Sequence, residues 1–207
     1  MKVLLINGGP HKSGATNRAL EEIKATLFEE GIDSEILWLG NDPISGCIGC
    51  GACRKTGKCF RGDVVNKFSS LAGEFDGFVF GSPVHYAAAS GALSSFMDRA
   101  FYSAGSKLYM KPAAAVVSCR RGGASAAFDE INKYFTIACM PVVSSQYWNQ
   151  VHGGCAEDVE RDQEGLQTMR TLARNMAYML RCFEAGKAAG IALPEKEPQI
   201  RTNFITG

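Results

Sequence analysis

The sequence predicts an α/β protein: a doubly wound, five-stranded parallel sheet with helices packed on both faces, three layers in all. Three observations predict it. Short apolar runs alternate with segments of helical spacing along most of the chain. The runs are apolar on both alternating faces, as strands covered from both sides are. Each connection between them carries a helix, which a parallel neighbour requires.

Met1 to Ile6 is the first buried strand. A helix follows from Ala15 to Glu29, with Leu20, Ile23, Leu27 and Phe28 at helical spacing and Gly31 placed to end it. Asp33 to Leu39 is the second strand. From Gly40 to Gly62 the periodicity disappears into glycines and clustered cysteines, and so long a connection inside a compact domain is a functional signal. A helix from Val64 to Leu71 and a strand from Gly77 to Gly81 restore the pattern. Ser82 to Tyr86 is expected as the loop leaving that strand, with a helix from Ala87 to Phe101. Ala113 to Ser118 is the fourth strand, Cys119 to Gly123 its exit loop, and Ser125 to Phe135 a helix. The fifth strand is placed at Met140 to Ser144. A last helix runs from Glu160 to Phe183, with Leu166, Met169, Leu172, Met176 and Leu180 forming its core stripe. Residues 1–190 are expected to form one domain with residues 40–62 as an insertion. The tail 191–207 is expected to be extended and to lie on a partner subunit.

The totals set limits on function. A chain of 207 residues buries a sizeable core without staples. A formal net charge of +1, with no basic block, gives no electrostatic case for nucleic acid. No apolar run is long enough to cross a bilayer, and the chain opens on a strand rather than a leader, so a cytoplasmic location is expected. In a reducing compartment the eight cysteines do not read as a disulfide framework.

In such a sheet, ligands bind beyond the carboxyl ends of the strands. Three loops fall there. Asn7 to Asn17 is a glycine-rich turn between strand and helix, the arrangement that aims N–H groups at a phosphate. Gly9-x4-Gly14 is followed by Ala15-Thr16 where a P-loop has Lys-Ser/Thr, and no G-x-G-x-x-G is present, so neither nucleotide fingerprint applies. Ser82, Pro83, Val84, His85 and Tyr86 offer rigid and planar groups to a flat heterocycle, although His85 and Tyr86 could equally pack beneath their own loop. Ser118, Arg120, Arg121, Gly122 and Gly123 offer N–H groups and guanidiniums to carbonyl oxygens that turn anionic on reduction. Phosphate, flat ring and stabilised anion together describe FMN better than a nucleoside triphosphate.

The motifs Gly8-Gly9-Pro10-His11-x-x-Gly14-x-Thr16, Gly81-Ser82-Pro83-Val84-His85-Tyr86, Met97-Asp98-Arg99, Ser118-Cys119-Arg120-Arg121-Gly122-Gly123 and Tyr147-Trp148-Asn149 occur in that order. In them the chain resembles the flavodoxin-like NAD(P)H-dependent FMN reductases, in particular the subgroup related to iron–sulfur flavoproteins. The resemblance implies strand order 2-1-3-4-5 and bound FMN. It implies His11, Ser13, Ala15, Thr16 and Asn17 on the phosphate, and Ser82, Pro83, Val84, His85 and Tyr86 beside the ring. Ser118, Arg120, Arg121, Gly122 and Gly123 would meet the ring's other parts, with Trp148 either core or cofactor contact. Relatives often have Arg at His11 and Asn at Ala15, so the sequence departs from them there. The implied activity passes electrons from NAD(P)H through FMN to a quinone, flavin, nitro compound or protein acceptor. A flavodoxin-like electron carrier without small-molecule turnover is the alternative. No catalytic protein group is expected, and a homodimer or tetramer is.

Cys47, Cys50, Cys53 and Cys59 have the spacing C-x2-C-x2-C-x5-C, which resembles the compact motif that holds a [4Fe–4S] centre in iron–sulfur flavoproteins. An empty or oxidised loop and a zinc site remain as alternatives, zinc being the more crowded fit.

Overall fold

The computed structural model describes residues 1–198, 200 and 202. Its parallel strands are β1 (Lys2–Asn7), β2 (Asp33–Trp38), β3 (Gly77–His85), β5 (Ala113–Cys119) and β6 (Gln150–His152), in the order β2-β1-β3-β5-β6. β4 (Ala88–Ala89) adds a short antiparallel pairing to the end of β3. The five parallel strands therefore follow the expected order, and β4 makes a sixth strand that was not foreseen.

Alternate residues of the central strands build two cores. Leu4 and Ile6 of β1 and Ala113, Ala115 and Val117 of β5 face one side with Phe68, Phe80 and Phe96. Val3, Leu5, Ala114 and Val116 face the other with Leu20, Ile23, Met169 and Met176. On the second side lie helices α1 (Ala15–Glu29) and α7 (Gln163–Ala188). On the first lie α3 (Val64–Leu71), α4 (Gly91–Leu108) and α5 (Ala124–Ile137). The short helices α2 (Ala52–Thr56) and α6 (Ala156–Val159) complete the described elements with the 3-10 turn Ala72–Glu74.

Three sequence expectations are corrected. The segment 140–144 meets β5 only through an isolated bridge between Val142 and Ala113. Pro141 has no N–H to extend a ladder. The last strand forms ten residues later, with Gln150, Val151 and His152 opposite Val117, Ser118 and Cys119. Second, β3 runs on through Ser82-Pro83-Val84-His85 instead of ending at Gly81. β1 stops at Asn7 opposite Gly81, before Pro83 is reached, so the missing Pro83 N–H leaves no bond to β1 unmade. Third, the helix expected from Ala87 begins at Gly91. Tyr86 and Ala87 have φ of 50° and 59° and turn the chain back as a hairpin. Ser90 then caps α4, accepting the Leu93 N–H at 3.2 Å.

Other boundaries move less. The insertion is not wholly irregular, since α2 lies within it. α7 starts at Gln163, three residues beyond the expected point, where Asp162 caps it by accepting the Gly165 N–H, and ends at Ala188. Residues 191–198 carry no helix or strand, and the Tyr109 hydroxyl donates to the Pro194 carbonyl at 3.1 Å. No helix among the described residues is long and apolar enough to cross a membrane.

Candidate functional site

β1 ends on a buried polar residue, and that residue folds the loop after it. The Gly9 N–H donates to Asn7 Oδ1 at 2.9 Å, and Asn7 Nδ2 donates to Asn17 Oδ1 at 3.2 Å. Trp38 at the end of β2 donates from Nε1 to the Gly9 carbonyl at 2.9 Å. On the other side, the Gly8 N–H donates to the Gly81 carbonyl, and the Ser90 hydroxyl donates to the Gly8 carbonyl at 2.8 Å. The loop is thus clamped to β2, β3 and the start of α4. Its glycines are there for space: a Cβ on Gly9 would lie 3.0 Å from Asn7 Oδ1 and 3.3 Å from Thr16 Oγ1.

α1 starts from Gly14, and no side chain caps it. The N–H groups of the first turn, at Ala15, Thr16 and Asn17, therefore stay available to an outside acceptor, and the helix dipole adds positive potential there. Thr16 is buried and shares a 2.8 Å hydrogen bond with the Ser118 hydroxyl across the sheet. That bond ties the phosphate-type loop to the end of β5.

A cleft of about 230 Å³ opens at this point. Its walls bring together residues from all three predicted loops: His11, Ala15 and Thr16; Pro83, Val84 and His85; Ser118 and Arg120. Gly153 and Gly154, after β6, close the remaining side and were not foreseen. A larger cleft of about 460 Å³ lies elsewhere, lined by Lys2, Phe28, Asp33 and Phe75. That one sits at the amino-terminal end of the sheet, away from every clustered loop, and the rule for open α/β sheets favours the smaller.

The remaining predicted residues do not line the cleft. Ser82 is fully buried, with its hydroxyl donating to the Pro83 carbonyl and accepting from the Ser90 N–H at 2.8 Å. Asn17 has its side chain committed to Asn7 and Glu21, leaving its backbone N–H for the site. Ser13, Arg121 and Gly122 are exposed at the rim. Gly123 is a close-approach position: its φ is 88°, and a Cβ there would meet Ala87 Cα at 2.8 Å and Val84 Cγ1 at 2.9 Å. The β5–α5 loop can therefore press onto the β3–β4 hairpin. Glu130 of α5 holds the same hairpin, accepting from the Ala89 N–H at 2.9 Å and the Ser94 hydroxyl at 3.0 Å. The Tyr86 ring stands fully in solvent at the hairpin tip, so it does not pack beneath the loop. Trp148 is half exposed and packs on Tyr147 at a ring-centroid distance of 5.0 Å, which excludes the core reading. Cys119 lies in the cleft wall, and burial pushes its thiol up from the ordinary range, so it stays protonated and unreactive at neutral pH.

The cysteine segment forms a separate feature. Cys47 and Cys50 are exposed, Cys53 and Cys59 half-buried. Between Cys47 and Cys59 the chain has Arg54, Lys55 and Lys58 and no acid or histidine, a donor set suited to a negatively charged thiolate cluster. The Gly49 N–H donates to Cys47 Sγ at 3.4 Å and Arg99 Nε to Cys59 Sγ at 3.3 Å. The segment fits such a group in chemistry. Among the described residues no three His, Cys, Asp or Glu side chains are gathered around one point, so binding would draw the loop inward about its left-handed glycines Gly49, Gly51 and Gly57.

The profile of the NADPH-dependent FMN reductases matches residues 1–153. The chain belongs to that family. It is 33% identical over 192 residues to an iron–sulfur flavoprotein of Methanocaldococcus jannaschii, covering 89% of this chain and all of that one. An iron–sulfur flavoprotein of Clostridioides difficile is 33% identical over 134 residues, 63% of this chain and 60% of the relative. Among solved structures, an archaeal flavodoxin superposes with a TM-score of 0.59 at 15% identity, covering 87% of this chain and 99% of that one. RosB, solved with 8-demethyl-8-formylriboflavin-5'-phosphate, gives 0.67 at 15% identity over 100% of this chain and 92% of its own. At such identities these structures share the flavodoxin-like fold with this chain.

Proposed function

We propose that this protein binds FMN in the cleft at the carboxyl end of the sheet and works as an NAD(P)H-dependent oxidoreductase. The observation that carries the reading is the uncapped N-terminus of α1, opening into a cleft where all three loops meet. The backbone N–H groups of Ala15, Thr16 and Asn17 hold the phosphate, with His11, Ser13 and the Thr16–Ser118 hydroxyl pair around them. Pro83, Val84 and His85 form the shelf beside the ring, and Gly123 keeps that shelf close to the third loop. Arg120 and Arg121, both exposed, balance negative charge at the mouth. Bound FMN supplies the exchange of electrons between a nicotinamide and an acceptor such as a quinone, nitro compound, free flavin or redox protein. No side chain in the cleft is arranged as a nucleophile, and Cys119 is held neutral, so the protein's part is binding, orientation and electrostatics.

Residues 1–190 constitute the flavin domain, with 40–62 inserted to carry a [4Fe–4S] centre on Cys47, Cys50, Cys53 and Cys59. That segment favours a second reading, an electron carrier to a protein partner. The near-neutral charge weighs against it, since it offers no strong field to steer a partner. The exposed aromatic residues Tyr86, Tyr147 and Trp148 support a homodimer or tetramer. Anaerobic mixing of the FMN-loaded protein with NADPH and with NADH tests the reductase reading. Rapid bleaching of the flavin absorbance is expected with at least one donor. A flavin that neither donor bleaches, yet that dithionite reduces, would overturn it in favour of the carrier.

A further inference from the structure

Arg99 is 2% exposed on α4, and a buried guanidinium needs every donor occupied. Nη1 and Nη2 fork onto the two oxygens of Asp63 at 2.6 and 2.9 Å. Nη1 also reaches the Ser45 carbonyl at 3.3 Å, and Nη2 the Arg61 carbonyl at 3.5 Å. Asp63 in turn caps α3, accepting the Val65 N–H at 3.1 Å. The remaining donor, Nε, points at Cys59 Sγ. A neutral thiol is a weak acceptor for a buried cation, and a thiolate or metal-bound sulfur is a strong one.

The Cys59 backbone is held on both sides by one side chain of α3. Its N–H donates to Asn66 Oδ1 at 2.8 Å, and Asn66 Nδ2 donates back to its carbonyl at 2.8 Å. Its side chain packs against the aromatic core under β3, whereas Cys47 and Cys50 lie in solvent. One ligand position is thus built in advance, on rigid elements, with a cation at its sulfur.

We propose that Arg99 is the positioning and charge-balancing residue of the cysteine site, an inference that rests on the cluster reading above. Asn66 and Arg99 fix Cys59 as the anchor around which the loop carrying the other three cysteines closes. The Nε–H bond to the anchoring sulfur withdraws charge from it, which stabilises the reduced over the oxidised cluster and holds the reduction potential up. Lysine cannot take this place, because an ammonium cannot fork onto Asp63 and still present a donor to the sulfur.

The test uses the anaerobically purified full chain, with iron and sulfide analysis and an EPR-monitored redox titration. Unsubstituted protein is expected to carry four irons, and Arg99→Lys to retain iron with a cluster potential moved to more negative values. Asp63→Asn, which loosens the ion pair and leaves the Nε–sulfur contact, is expected to lower thermal stability with a smaller change in potential. Full iron in Arg99→Lys with an unmoved potential would overturn the proposal and leave Arg99 a structural ion pair. Iron-free unsubstituted protein would overturn the cluster reading, and the proposal with it. Should Arg99→Lys fail to fold, unsubstituted protein labelled with ¹⁵N at the arginine guanidinium decides the matter. A weak ¹⁵N coupling to the reduced cluster is expected in pulsed EPR, and its absence would overturn the proposal.

Discussion

Replacing Asn7 by alanine removes the side chain on which the phosphate-facing loop is folded. Asn7 is fully buried; its Oδ1 takes the buried Gly9 N–H at 2.9 Å, and its Nδ2 satisfies Asn17 Oδ1 at 3.2 Å. The substitution leaves one buried donor and one buried acceptor without partners, each at about 1–3 kcal/mol, for a loss of about 2–6 kcal/mol. For a chain of this size that lowers the melting temperature by about 4–24 °C. Gly9 would no longer be held beneath the cleft, so FMN binding weakens by about tenfold or more, on the order of 1.4 kcal/mol. Thermal unfolding of the flavin-free protein, followed by circular dichroism, reads the first effect, and titration by flavin fluorescence quenching reads the second. Asn7→Asp keeps the acceptor for Gly9 and loses the donor to Asn17, so its melting temperature is expected between the two. A melting temperature for Asn7→Ala within about 2 °C of the parent would refute the reasoning, because no buried orphan could then have been created.

Gly123→Ala is expected to destabilise the protein by about 1–2 kcal/mol from backbone strain alone, and to lower FMN affinity as the hairpin is pushed away from Gly123. Unchanged denaturant midpoint and affinity would contradict the close approach. Thr16→Val keeps the shape and deletes the hydroxyl bonded to Ser118, lowering stability by about 1 kcal/mol and weakening FMN; an unaltered dissociation constant would count against the phosphate assignment. Acid should destabilise the α1–α7 pairing. Burial pushes the Glu22 carboxyl up, but hydrogen bonds from Arg170 and Arg18 outweigh it and leave the group below the ordinary glutamate range. With the folded-state value depressed, the stabilisation is complete at neutral pH and is lost as pH falls through and below that range. A melting temperature measured against pH should show this decline, and Glu22→Gln should flatten it; an equal decline in both would refute it.

Much of this fold was legible because local chemistry and global packing agree. Helices α1 and α3 lie where their periodicity and flanking residues put them, and the order of the parallel strands is the one that the family resemblance implied. β6 was missed because three residues, Gln150–His152, carry no apolar run, while the more apolar 140–144 is barred from a ladder by Pro141. The hairpin before α4 was missed because Tyr86 and Ala87 give no turn signal, and the bond that holds it, from the Ala89 N–H to Glu130 of α5, is distant in sequence. At the site, the three loops were identifiable as neighbours from their place at strand ends. Which side chains face the cleft was not, because the deciding bonds span great distances in sequence. Thr16 meets Ser118, Gly8 meets Ser90, and Arg99 meets Cys59. Asn7 did leave a trace, as the polar residue that ends the apolar run Val3–Ile6.

Riboflavin differs from FMN only in lacking the phosphate, so comparing the two isolates the N-terminus of α1 from the ring shelf. Two charge-assisted hydrogen bonds from that turn, at about 1.5 kcal/mol each, correspond to about a hundredfold preference. Fluorescence-quenching titration of the flavin-free protein with each compound, under the same buffer and salt, is therefore expected to give FMN the tighter dissociation constant by about that factor. Equal affinity for riboflavin and FMN would contradict the account, because the Asn7–Asn17 loop would then hold no phosphate.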